Sequence, residues 1–287
     1  MNQKAFAILV GAVMVLSAFA GFVLRGNNQN EVVVVGSDAN SLQTFGVQGR
    51  LVDWSLDNLD DVLKMSPEST IMAYWINLSA SQNLTDATRA ALPQSFGLSY
   101  GSQLYPNKIE RLGAAYFNNT WIEFHWIKPF PVGYSGLVIP YMDYMMIPAG
   151  TDYVTVMGRP TLFGTQDAIR QSIDVITGGL ATDSFTLPVG EEADLQVAIL
   201  GKGIKSLPIA DGYKEFYMGV SASKDGTNGG FNLTAKYLQP DADTSQKAKD
   251  IAAKNNLNYS ASSTNAEVSG HVKTENLQGV IMALLGP

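Results

Sequence analysis

The chain predicts an α+β fold: a mainly antiparallel sheet with helices packed on it. Three observations predict this. Strand-length apolar runs are mixed with short amphipathic helical patterns, turn-rich hairpins join many of the strands, and one long apolar stretch stands apart near the N-terminus. Such mixing argues against the regular βαβ alternation of a parallel sheet. With 287 residues there is room for one large or two small cores. The expected organisation is residues 1–25 as a transmembrane anchor or signal peptide, 26–49 as a juxtamembrane stalk, 50–179 as a first half and 180–287 as a second. Both halves read strand, helix or loop, hairpin, strand, helix, an order that a degenerate duplication of a ferredoxin-like unit would give.

The N-terminal stretch carries the strongest single signal. Lys4 precedes an unbroken run from Ala5 to Leu24, and Arg25 follows it. Twenty helical residues at about 1.5 Å each span roughly 30 Å, the thickness of a bilayer's hydrocarbon core. The reading is an uncleaved single-pass anchor that leaves the body outside. The alternative is a signal peptide cut after Ala20, since Ala18-Phe19-Ala20 fits the small-x-small pattern. In the stalk, Val32 to Gly36 reads as a short strand, and Ser37-Asp38-Ala39-Asn40 lacks the glycines of a dinucleotide-binding turn.

In the body, the spacing predicts a helix over Leu56–Leu63 stopped by Pro67, a strand over Thr70–Leu78 and a helix over Thr85–Leu92. Leu112–Phe117 and Trp121–Ile127 flank Asn118-Asn119-Thr120 as a hairpin. A strand over Tyr153–Phe163, broken by Pro160, leads to a helix over Gln166–Thr177 capped by Thr165. The second half predicts strands at Leu195–Leu200, Tyr213–Ser223 and Phe231–Leu238, then a helix opened by Pro240-Asp241-Ala242-Asp243, with acids at its start and Lys247, Lys249 and Lys254 toward its end. Short strands at Asn258–Ser262 and Glu267–Val272 and a helix over Leu277–Leu285 complete it.

Composition excludes several functions. The net charge is −7 and no Lys/Arg cluster occurs, so nucleic acid is not an expected partner. The absence of cysteine removes disulfides, thiolate metal sites, a cysteine nucleophile and a lipoprotein anchor. No cofactor is expected. Asn77, Asn83, Asn118, Asn232 and Asn258 each begin an Asn-x-Ser/Thr glycosylation acceptor.

Candidate chemistry is sparse. Ser221-Ala222-Ser223-Lys224 matches the pattern of serine acyl-enzymes but reads as a strand ending in a turn, where serine and lysine point apart. Glu123 and His125 share one strand face, a pairing that can bind metal or move protons; no third ligand is visible, and an exposed polar strand face is the plainer reading. Met142, Met145 and Met146 suit either Cu(I) or an apolar core or interface. No catalytic set is complete. The region from Tyr116 to Tyr153 is the most aromatic in the chain and includes Trp121, Trp126, Tyr134, Tyr141 and Tyr144. With His125, these five residues form the candidate ligand-binding set, for a glycan or protein partner.

The Met1-Asn2-Gln3-Lys4 start, the apolar segment without a lipobox, the cysteine-free acidic body and the acceptor asparagines together resemble membrane-anchored cell-surface proteins of archaea. The resemblance implies an anchored cell-envelope protein and carries no functional residue across. The expected role is therefore non-catalytic binding or structure outside the membrane. An extracytoplasmic hydrolase and an accessory subunit of a membrane complex are the alternatives.

Overall fold

Short β-runs whose side chains alternate between two faces set the architecture. The computed structural model describes residues 49–117, 119–128, 137–187, 192–201, 212–223 and 229–286. The expected anchor, the stalk and its Val32–Gly36 strand, together with Asn118 and Tyr134, lie outside the described residues.

The first half runs β1 (Val52–Asp53), α1 (Leu59–Lys64), β2 (Thr70–Asn77), α2 (Gln82–Ala91), α3 (Phe96–Leu104), β3 (Ile109–Phe117) and β4 (Thr120–Ile127). It continues with β5 (Ile139–Tyr141), β6 (Tyr144–Pro148), β7 (Tyr153–Val156), β8 (Gly158–Arg159), β9 (Thr161–Thr165) and α4 (Gln166–Ile176). The second half holds β10 (Leu195–Leu200), β11 (Glu215–Ala222), β12 (Gly230–Leu238), α5 (Ala242–Lys254), β13 (Asn258–Ala261), β14 (Asn265–Lys273) and α6 (Leu277–Leu285).

Twelve of these strands form one sheet in the order β13-β14-β12-β11-β10-β2-β3-β4-β9-β7-β6-β5. The α+β expectation is met. The ferredoxin-like expectation is corrected, because that unit contains a parallel strand pair and every pairing within this sheet is antiparallel. The hairpins leave no parallel crossover, and the parallel pair β1–β8 stands outside the sheet. Residues on either side of position 180 meet edge to edge where β10 pairs with β2.

Helices cover the sheet unequally. The front face carries Tyr74, Leu112, Val197, Met218 and Val268 under α2, α3, α5 and α6. The back face of the first half carries Trp75, Phe117, Ile122 and Phe124 under α1 and α4. On the back face of β12 and β14, Asn232, His271 and Lys273 are exposed, so that part of the sheet is polar and uncovered. Side-chain caps set the helix starts as the sequence implies: Thr165 accepts from Ala168 N in α4, and Asp241 accepts from Thr244 N in α5.

Helix α3 was not expected. Its sequence, FGLSYGSQL, holds two glycines, each costing about 1 kcal/mol against alanine in a helix interior. The same glycines let it lie close to the sheet. A Cβ on Gly97 would collide with the Leu112 side chain and come within 2.7 Å of His125 Nε2, and one on Gly101 would come within 3.0 Å of Ile109 Cδ1. This helix covers Glu123 and His125.

Candidate functional site

Strand β4 presents Glu123 and His125 on its front face, opposite Ala114 and Leu112 of β3 and Phe163 and Thr161 of β9. Both side chains are fully buried. The exposed polar face read from the sequence is thereby corrected: α3 lies over it. Glu123 Oε1 accepts from Phe96 N at 2.8 Å, and Oε2 accepts from Gly97 N at 2.7 Å. These are among the first N–H groups of α3, which have no partner within the helix. The remaining cap is Ser95, whose hydroxyl accepts from Leu98 N at 3.1 Å.

His125 links this carboxylate to the other end of the helix. Its Nε2 lies 2.7 Å from Glu123 Oε2, and its Nδ1 lies 2.8 Å from the hydroxyl of Tyr105, the residue that follows α3. A carboxylate only accepts, so Nε2 carries a proton, and in the neutral tautomer this fixes, Nδ1 is the acceptor for the Tyr105 hydroxyl. Adjacent front-face positions of one strand thus hold both ends of one helix. Burial pushes the Tyr105 phenol far up; a Thr155 hydroxyl contact opposes the rise, and the Glu123 charge adds to it. Burial and the same charge also raise the phenols of Tyr74 and Tyr116.

Above this network lies a cluster of rings. Phe96 stands at its centre, with centroids 5.4 Å from Trp121, 4.8 Å from Tyr153, 5.5 Å from Phe163 and 5.8 Å from Tyr100. Phe163 stacks on the His125 ring at 5.8 Å. Phe163 is buried, Phe96, Trp121 and Tyr153 are half-buried, and Tyr100 is 40% exposed. The cluster therefore seats the start of α3 while leaving ring surface open to solvent.

The expected aromatic set does not converge. Trp121 and His125 lie on the front face. Trp126 turns to the back, where the Arg111 guanidinium lies 4.3 Å above its ring. Tyr141 donates to Asp174 Oδ1 at 2.6 Å and Tyr144 is buried, both on the α4 side. Phe96, Tyr100 and Phe163 belong to the cluster and were missed by the sequence reading. The signal available was Ser95 directly before an apolar residue, a helix start obscured by the glycines that follow.

The other motifs disperse. Met146 is buried, Met145 points to the opposite face, and Met142 sits at the β5–β6 turn, 52% exposed and with φ 47°. Among the described residues no group of three or more His, Cys, Asp or Glu could hold a metal ion. Ser221 ends up in β11 with its hydroxyl donating to the Glu192 carbonyl at 3.2 Å. Of the acceptor asparagines, Asn83, Asn232 and Asn258 are exposed; Asn77 is half-buried, with its amide directed at Asp194 and Ser79. Among the described residues no helix is long and apolar enough to cross a membrane.

No protein-family model matches the chain, and no curated protein matches it. Among solved structures, crystal form III of TP0453 superposes with a TM-score of 0.50 at 10% identity, covering 80% of this chain and 99% of that one. Crystal form I of TP0453 gives 0.48 at 9% identity, covering 80% and 98%. The likeness is one of fold.

Proposed function

We propose that the chain is a membrane-anchored extracytoplasmic protein of the cell envelope whose body binds a glycan or protein partner without catalysing a reaction. The anchoring half of this reading rests on the Ala5–Leu24 run between Lys4 and Arg25. The binding half rests on the ring cluster at the start of α3, where half-buried Trp121 and Tyr153 and exposed Tyr100 all pack on Phe96. Large rings with one buried and one open side supply contact area at little conformational cost. Acceptor sites at Asn83, Asn232 and Asn258 are accessible to a glycan in the same compartment.

One observation favours the hydrolase alternative: Glu123 and His125 do meet a third polar group from elsewhere, the Tyr105 hydroxyl. Against it, Glu123 and His125 are fully buried beneath α3 and the Tyr105 hydroxyl is turned inward to His125, so the three groups present no open face to a substrate. The accessory-subunit alternative expects an apolar patch around Met142–Met146, and in that segment only Met142 is strongly exposed among the apolar residues.

Two measurements test the reading. Fractionation of the untagged native protein, with N-terminal and intact-mass analysis, is expected to find it with membranes; full-length, unglycosylated protein in the cytosol overturns the anchored assignment. Partner capture should fall strongly with Trp121→Ala and Tyr100→Ala and stay unchanged with Trp126→Ala. Equal capture by all three removes the cluster from the binding role.

A further inference from the structure

On the other side of α3 from the ring cluster, a groove of about 470 Å³ opens between α2, α3 and the start of β3. The volume falls within the range of small-molecule sites, roughly 300–1,000 Å³. The groove and the cluster share a helix but no residue.

Three features give the groove a chemistry. Its apolar wall is Leu78, Leu98, Ile109 and the ring of Tyr105, whose hydroxyl is turned inward to His125. Its two charged lining residues, Arg89 and Lys108, are both cationic, and none of its lining residues is acidic, in a chain of net charge −7. Arg89 is fixed in place, with Nε donating to the Leu98 carbonyl at 3.0 Å and one terminal nitrogen donating to Asp86 at 2.8 Å. A planar donor fork held in this way loses little freedom on meeting an anion. The Asp86 carboxylate offsets part of the Arg89 charge, and Lys108 supplies a second cation. Hydroxyls of Ser99 and Ser102 lie along the α3 side.

We propose that this groove binds a small organic anion, a carboxylate or phosphate carried on a compact apolar or aromatic body. The head group pairs with Arg89 and Lys108, and the body packs on Leu98, Ile109 and the Tyr105 ring. The site is independent of the aromatic cluster, so either can fail without the other.

The experiment is isothermal titration calorimetry on the full chain in a non-ionic detergent. The probes are benzoate and phenyl phosphate, with benzyl alcohol as the uncharged analogue. At least one anion is expected to bind, with affinity falling as salt is added, and the alcohol to give no heat. The preferred anion tells a carboxylate ligand from a phosphate one. Arg89→Gln should weaken binding by about tenfold or more, the cost of losing a charge-assisted hydrogen bond. Because Arg89 also ties α2 to α3, Lys108→Glu provides a second arm at an exposed side chain and should weaken the same anion while leaving the unfolding midpoint unchanged. Equal binding of alcohol and anions, unchanged affinity in Lys108→Glu, or no binding of either anion to the wild type overturns the proposal.

Discussion

Two buried carboxylates, Glu123 on the front of the sheet and Glu215 on the back, do the same elementary job with different consequences. Each accepts backbone N–H groups from a covering segment. Glu215 takes Thr186 N, Leu187 N and the Thr186 hydroxyl at 2.7–3.0 Å, tying down the stretch that precedes β10. Glu123 takes Phe96 N, Gly97 N and His125 Nε2. The segment held by Glu215 is a loop near the start of the second half, whose backbone can turn to water when released. The segment held by Glu123 is a helix too rich in glycine to persist alone, and beneath it lie a histidine and several tyrosines. Identical chemistry is therefore worth more where the released element has nowhere else to satisfy its groups.

Breaking each carboxylate in turn tests that difference most directly. Glu123→Leu should cost about 3–5 kcal/mol, since it orphans two helix N–H groups and a buried imidazole. Glu215→Leu should cost about 1–3 kcal/mol. Urea unfolding of both variants measures the gap, and equal losses would show that the helix adds nothing. Smaller in effect, Gly97→Ala should destabilise by about 1–3 kcal/mol despite alanine's better helix propensity, because its Cβ has no room against Leu112 and His125. A stabilised Gly97→Ala would mean that α3 is not seated where Glu123 can hold it. Next, Tyr105→Phe should lose about 1–2 kcal/mol by leaving His125 Nδ1 without its donor. Partner capture through Trp121 should be unaffected by it.

The smallest effect belongs to an exposed carboxylate doing the same kind of work. Asp241 caps α5, and hydrogen bonds from the Thr244 backbone and side chain lower its pKa, with Lys247 assisting. A folded pKa below the unfolded one means that the cap stabilises fully above the ordinary carboxylate range and that this is lost as pH falls through the depressed value. Comparing acid unfolding of the wild type with Asp241→Asn should show a shallower acid dependence in the variant. Identical curves would remove Asp241 as a contributor.

The sequence was most legible where local rules act alone. The strand at Leu195–Leu200 and the helix at Leu277–Leu285 match their expected ends, and the caps at Thr165 and Asp241 fall where hydroxyl and carboxylate side chains imply. The front/back alternation along Trp121–Ile127 was legible as well, since period 2 is a property of any strand. The meaning of that alternation was not. Whether Glu123 and His125 met water depended on α3, an element that propensity argues against and close packing on the sheet rescues.

What the sequence determined by itself is therefore the α+β class, the order of most elements, the helix caps and the apolar N-terminal run, all of which follow from neighbours within a few positions in the chain. The tertiary structure alone decided that the sheet is one continuous array of twelve strands and that two polar residues on β4 are buried. It also set Phe96, Trp121, Tyr153 and Phe163 around one point. The β2–β10 pairing joins residues about 120 positions apart, the ring cluster joins Phe96 to residues 25 to 67 positions on, and no periodic pattern encodes which distant backbone N–H a carboxylate will meet.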